Sequence, residues 1–423
     1  MTALKLAVIG AGSTYTPELV SHLSQLDVDE VALQDVDAER LEVVGALAER
    51  MLARAGYEGN VLRTSDHDAA IDGASFVLFQ IRVGGQQSRL QDATVPLRCG
   101  CIGQETTGAG GFAKAMRTVP VMLELAERVA DRAAPGAWIV DFTNPVGIVT
   151  RALLDEGHRA IGLCNVAITF QRLIARLLEV GPERVHVDQV GLNHLTWIRA
   201  VEVDGRDVLP ELLARHGDEL ADEIELPRSV LDDLGVLPSY YLHYFYAHDR
   251  VLAEQQDGVP RAQTVAEIER ELLRLYRDPN LTEKPALLEQ RGGAFYSEAA
   301  IGLVGSLATG DGCVHVVDVR NDGTIAGMAP DDVVEVPSRI DRSGVTPLPQ
   351  PDVAPELLGL MQHVAAYERL AARAAVSGDR AVVHKALLTH PLVAQDAVSA
   401  DLVERLLEAG AQHLPQFDAG SRV

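Results

Sequence analysis

The 423-residue chain has only four cysteines, Cys99, Cys101, Cys164 and Cys313. They are too few and too scattered for a disulfide framework. One residue separates Cys99 from Cys101, a poor spacing for a tetrahedral metal clamp. Cationic side chains are also scarce: 37 Lys and Arg stand against 61 Asp and Glu, a formal net charge of −24. Such a surface repels nucleic acid and anionic membranes, so neither is expected as a partner. It repels a phosphorylated substrate as well, so any phosphate site must be locally cationic. No apolar run reaches transmembrane length. The start, Met1-Thr2-Ala3-Leu4-Lys5, has neither a charged n-region nor a long apolar h-region. A cytoplasmic, reduced protein is the expectation. Internal repeats and low-complexity tracts are lacking too.

What remains is the balance of a soluble globular protein, 47% apolar and 23% charged, with length for a large core in two domains. Leu4 to Ile9 is a continuous apolar run, followed by a glycine turn and helical spacing from Thr16 to Gln25. Short strands are expected at Val31–Leu33, Val61–Arg63, Phe76–Ile81, Trp138–Phe142 and Ala160–Leu163, with helices at Ala38–Ala55 and Phe112–Asp131 between them. Strands alternating with helices indicate a Rossmann-like α/β fold with a doubly wound parallel sheet. After about Gly181 the pattern changes. Val185–Val190 and Thr196–Val203 alternate like antiparallel strands, with Asp204-Gly205 as a turn. Val314–Val319 and Val333–Val336 flank Asn321-Asp322-Gly323, which favours a hairpin. Helices are expected near 263–278, 297–308, 354–376 and 393–409. The division is a nucleotide-binding domain, residues 1–170, followed by an α+β domain, residues 171–423.

Gly10-x-Gly12 at a strand end lets the backbone pass close to a pyrophosphate, and Ser13 and Thr14 lead into the helix whose positive end faces that charge. Asp35 follows Gly12 by 23 residues, at the end of the second strand, where a carboxylate takes ribose hydroxyls and discourages a 2′-phosphate. The third glycine of the usual fingerprint is replaced by Tyr15. A tight turn that binds nothing is the plain alternative, but the strand context and Asp35 favour NAD.

Cys164 falls at the carboxyl end of a predicted parallel strand, the edge where ligands bind in open α/β sheets. His194 lies 30 residues on. Either could be an ordinary core residue, and spacing alone would not make them a metal pair. Asn144, Asn165 and Asn193 crowd the same strand ends, where amides can hold sugar hydroxyls without adding charge, and Asn144 is a candidate for the cofactor as well.

Gly10-x-Gly12-Ser13-Thr14, Gly103-Gln104-Glu105-Thr106, Thr143-Asn144-Pro145, Gly162-Leu163-Cys164-Asn165-Val166 and Gly191-Leu192-Asn193-His194 together resemble glycoside hydrolase family 4. The likeness continues through Arg291-Gly292-Gly293-Ala294-Phe295-Tyr296-Ser297 and Val334-Glu335-Val336-Pro337. This family is NAD- and manganese-dependent, with a lactate/malate dehydrogenase-like fold. Cys164-Asn165-Val166 is similar to its 6-phospho-β-glucosidase branch, while Ala167 and Ala93 depart from the usual proline and glutamate. The resemblance implies a phosphorylated glycoside as substrate and a homodimer or homotetramer. It also implies a redox route: C3 oxidation, C2 deprotonation, C1 elimination, water addition and re-reduction. Cys164 and His194 are the implied Mn²⁺ ligands, Arg89 the phosphate arginine with Arg117 and Arg291 in reserve, and Tyr241 the base, with Tyr240 as its neighbour. Other readings use the same residues: an α-linked or non-phosphorylated glycoside, a hydroxy-acid dehydrogenase, or an NAD-binding sensor without catalysis.

Overall fold

The computed structural model describes residues 4–293, 295–341 and 343–417. Residues 1–3 of the amino-terminal segment and Ala294 of the arginine–glycine motif lie outside them. Six parallel strands form first: Lys5–Ile9 (β1), Glu30–Gln34 (β2), Asn60–Thr64 (β3), Phe76–Phe79 (β4), Trp138–Asp141 (β5) and Ala160–Gly162 (β6). Their order is β3-β2-β1-β4-β5-β6, the doubly wound arrangement. Central strands of such a sheet are covered on both faces and read as unbroken apolar runs. Accordingly Leu6, Ala7, Val8 and Ile9 of β1 and Val77, Leu78 and Phe79 of β4 are fully buried. The strand order reverses between β1 and β4, and Gly10 and Gln80 meet there. A Cβ on Gly10, whose φ is +91°, would lie 2.8 Å from the Gln80 carbonyl oxygen, so only glycine fits.

The chain then switches to antiparallel pairing. Val185–Leu192 (β7) and Leu195–Val203 (β8) form a hairpin with Asn193 and His194 at its tip. Asp204 and Gly205, at φ +52° and +77°, turn the chain into Arg206–Asp207 (β9), as the Asp-Gly pair predicts. Leu237–Pro238 (β10) pairs with the other edge of β8. It delivers the Tyr240–Leu242 turn directly beside the hairpin tip.

Val314–Arg320 (β11), Val333–Asp341 (β12) and Gly344–Pro347 (β13) do not build a sheet of their own. They run antiparallel along the free edge of β6 and extend the first sheet to nine strands. The short strand β6 leaves an edge that needs a partner, and the second half of the chain supplies it. β11 and β12 pair as expected, but residues 321–332 connect them in place of a tight hairpin. Asn321 holds that loop by accepting from Ile325 N at 2.7 Å and donating to the Ile325 and Met328 carbonyls.

Hydrophobic packing divides in two. The larger cluster fills both faces of the nine-stranded sheet. A smaller one packs the helix Val166–Leu177 against β7, β8 and the helix Leu209–Glu223, through Phe170, Ile174, Ile198 and Leu212. Cys164 belongs to this second cluster, so the end of β6 is anchored against the small sheet.

Candidate active site

A cavity of about 860 Å³ opens at the carboxyl ends of β1 and β4, where open α/β sheets bind ligands. Gly10, Gly12, Ser13 and Asp35 line one end; Arg89, Asn144, Asn165 and Tyr241 line the other. The Asp35 carboxylate accepts from the Gly12 N–H at 2.8 Å and the Asp37 N–H at 2.9 Å. These bonds tie the acid to the glycine loop and leave its remaining lone pairs for a ribose. Thr14 points elsewhere: it is fully buried, and its hydroxyl accepts from Arg291 Nε at 2.8 Å. Tyr15 reaches the segment near residue 293, where its hydroxyl donates to the Gly293 carbonyl. That contact explains an aromatic side chain where the usual loop has glycine.

Arg89 lies on the helix Gly85–Arg98 and bonds Glu105 Oε1 at 2.7 Å. Arg82 and Lys114 hold the other oxygen, Lys114 at 3.2 Å. Two guanidinium groups and an amine therefore face one carboxylate. Burial opposes the charge of Glu105, yet Arg82, Lys114 and Arg89 together keep it well below the carboxylate range. Burial, with Arg82 nearby, brings Lys114 down to about 7. The Gly103–Thr106 motif builds this cluster. The Gln104 side chain accepts from the N–H groups of Thr106 and Thr107 at 2.5 and 2.6 Å, and Gly103 has no room for a Cβ, which would lie 1.9 Å from the Ala93 carbonyl oxygen. Arg291 also lines the cavity but pairs with Glu269 at 3.1 Å. Arg117 does not line it. Its guanidinium is buried in a bidentate pair with Asp92, at 2.9 and 2.7 Å.

Cys164 is buried beside Asn165, with its sulfur 3.9 Å from the Tyr296 hydroxyl. Burial and the Glu335 charge push its thiol well above the ordinary value. His194, at φ +62°, stacks on Tyr241 with ring centroids 3.9 Å apart. It lines a smaller cavity of about 30 Å³ together with Asn193, Glu368 and His390. Burial and then Lys114 lower its value to about 3, which keeps the imidazole neutral, and its buried Nε2 has no partner among the described residues. A neutral imidazole with an orphaned nitrogen and a thiol that ionises only beside positive charge fit a divalent cation. Among the described residues no group of three or more His, Cys, Asp and Glu forms a complete cage, so further donors would come from a ligand. Asn144 Oδ1 is likewise buried without a partner and faces the large cavity. Asn193 is turned away from it, donating to Asp318 and Glu335.

Sequence reasoning assigned no role to Lys114, Arg82, Asp318 or Glu335. Lys114 carried a readable sign: with Arg117 it is one of two cations in a helix segment, Gly108–Val119, that is buried all round, and buried lysines are rare unless paired.

Strand order, glycine loop and the cavity at the strand ends define a Rossmann-like α/β fold. Malate dehydrogenase from Plasmodium falciparum shares it, with a TM-score of 0.54 over 88% of this chain and 98% of that one, at 15% identity. The chain belongs to glycosyl hydrolase family 4: the sequence signature described as family 4 glycosyl hydrolase matches residues 5–180, and that of the family's C-terminal domain matches residues 189–393. It is 39% identical to a probable 6-phospho-beta-glucosidase of Bacillus subtilis over 98% of both chains. The solved 6-phospho-beta glucosidase of Thermotoga maritima with manganese, NAD+ and glucose-6-phosphate superposes with a TM-score of 0.90, at 35% identity, covering 97% of this chain and 99% of that one. A phospho-alpha-glucosidase of Clostridium acetobutylicum stands at 28% identity over 97% and 98%. No helix among the described residues is long and apolar enough to cross a membrane.

Proposed function

We propose that this chain hydrolyses 6-phospho-β-glucosides with NAD and a divalent metal, manganese, as cofactors. One observation carries the reading: a single cavity joins an NAD-type loop to two arginines and a lysine around one carboxylate, in a chain of net charge −24. That local surplus matches a phosphate dianion, which the rest of the surface would repel. The higher identity to β-directed relatives and the Asn165 that follows Cys164 favour the β-linkage.

When bound, the cofactors supply a reversible hydride acceptor for sugar C3 and a Lewis acid for the oxygens at C2 and C3. Cys164 and His194 hold the metal, and Gly10, Gly12, Ser13 and Asp35 hold the dinucleotide. Arg89, with Arg82 and Lys114, seats the 6-phosphate. Asn144 and Asn165 position sugar hydroxyls without adding charge. Tyr241, packed on His194, removes the C2 proton once C3 is oxidised; its ring contact with His194 favours it over Tyr240, which packs toward Phe170 at 6.1 Å. The glycosidic oxygen then leaves C1 by elimination, water adds across C1 and C2 with a proton returning to C2, C3 is reduced again by the returned hydride, and no pair of catalytic carboxylates is required. In this scheme residues 1–170 carry the dinucleotide, and 171–423 contribute His194 and Tyr241.

Hydrolysis in D2O tests the scheme. Deuterium at C2 of the released glucose 6-phosphate is the expected result. Aglycone release without C2 exchange would overturn the elimination route, and turnover only of α-linked substrates would overturn the anomer.

A further inference from the structure

The proposed metal ligands come from different sheets. Cys164 follows β6 of the nine-stranded sheet, and His194 sits at the tip of the β7–β8 hairpin. Something must fix their separation, because a metal site tolerates little error in ligand position. Strand pairing closes the hairpin at Leu192 and Leu195, and Asn193 and His194 project beyond it. His194 adopts a left-handed conformation, costly for a residue with a Cβ, which persists only where its surroundings enforce it.

One side chain and two carboxyl groups supply that enforcement. Asn193 Nδ2 donates to Glu335 Oε2 at 3.1 Å and to Asp318 Oδ2 at 3.4 Å. Glu335 is held in turn by Gln189 of β7, which donates to its Oε1 at 2.5 Å. Asp318 stands opposite Gly162 in the β6–β11 pairing, two residues before Cys164. Gly162 leaves no side chain between the strands, since a Cβ there would lie 2.8 Å from the Asp318 Cβ. Asp318 therefore presses against the strand that leads to Cys164 while gripping the turn that presents His194. All four groups are buried.

We propose that Asp318 and Glu335, acting through Asn193, form a latch that sets the distance between Cys164 and His194. They are positioning residues, and Asn193 serves the metal pair, not the sugar. The inference rests on the function proposed above.

The test is Mn²⁺ affinity, read from the resonance of free Mn²⁺ in reduced, NAD-saturated protein. Glu335→Ala is expected to weaken Mn²⁺ binding about 10-fold or more, with NAD affinity unchanged because the nucleotide end of the cavity does not touch the latch. Glu335→Gln keeps an acceptor for Asn193, and Gln189 can turn its carbonyl to the new amide, so affinity should return to within about threefold of the parent. Asn193→Ala breaks the latch from the other side and should match Glu335→Ala, which keeps the idea testable if one variant fails to fold. Folded Glu335→Ala and Asn193→Ala proteins that bind NAD and Mn²⁺ like the parent would overturn the latch alone. A parent protein that binds no Mn²⁺ would overturn the metal-dependent function, and the latch with it.

Discussion

Binding of a sugar phosphate should draw a proton onto Lys114. In the free protein burial holds this lysine at about 7, against an ordinary value of 10.5, a difference worth about 5 kcal/mol in favour of the neutral amine. A charge roughly 4 Å away at an effective dielectric near 20 contributes about 4 kcal/mol, so a dianion seated on Arg89 and Lys114 restores most of the lost basicity. Lys114 would then go from about one-tenth to nearly full protonation at pH 8, an uptake of about 0.9 proton, and of about 0.5 at pH 7. The ligand contributes little at pH 8, since its second ionisation lies near 6. The same depression means that the unfolded chain binds more protons than the native one between about 7 and 10.5, so the lysine's destabilising effect fades as pH rises through that window. Calorimetric titration of the NAD-loaded protein with glucose 6-phosphate, in buffers of different ionisation enthalpy, counts the protons directly. Lys114→Met should abolish the uptake and weaken binding about 30-fold or more. A parent protein with no uptake at pH 8, or a methionine variant with the same uptake, would refute the reasoning.

Other perturbations separate the parts of the site. Tyr241→Phe should lower kcat by about 10²–10⁴-fold with little change in KM and slow C2 deuterium incorporation in step, while Tyr240→Phe retains the parent rate of exchange. Asp35→Ala removes the acceptor shared by the Gly12 and Asp37 N–H groups and should weaken NAD⁺ binding about 10-fold while leaving NADP⁺ binding little changed, read by fluorescence titration. Arg117→Met strands the buried Asp92 carboxylate and should cost about 3–5 kcal/mol in denaturant unfolding, most of it recovered when Asp92→Leu is added.

The readable parts of the sequence were those where backbone physics dictates residue type. The central strands follow from unbroken apolar runs, and Gly10 from a turn that excludes a side chain. Asp204-Gly205 follows from its paired positive φ angles. The helix Gly85–Arg98 escaped notice because it opens on Gly84 and Gly85, carries Gln86 and Gln87 in its first turn and contains Pro96. Its stability comes from distant partners, including Gln86 with Glu269 and Asp92 with Arg117. β13 ends in a proline tract that reads as a connector, yet proline is tolerated on the sheet's edge.

The site was legible residue by residue and not as an assembly. Cys164 and His194 stood out at strand ends, but their approach depends on how two sheets dock. Asn193 drew attention as a polar residue beside a histidine. Its partners lie 125 and 142 residues away, a separation that no local pattern reveals. The same applies to Arg117, a reserve phosphate ligand in the sequence, which the fold uses to neutralise Asp92.

The central claim is a glycosidase that needs a redox cofactor without consuming it. Release of nitrophenol from 4-nitrophenyl β-glucoside 6-phosphate by the purified, reduced protein measures this, with NAD⁺, Mn²⁺ and a chelator varied in turn. Release is expected only when NAD⁺ and a divalent metal are both present, with no net NADH. Release without NAD⁺, or NADH formed in step with substrate loss, would contradict it.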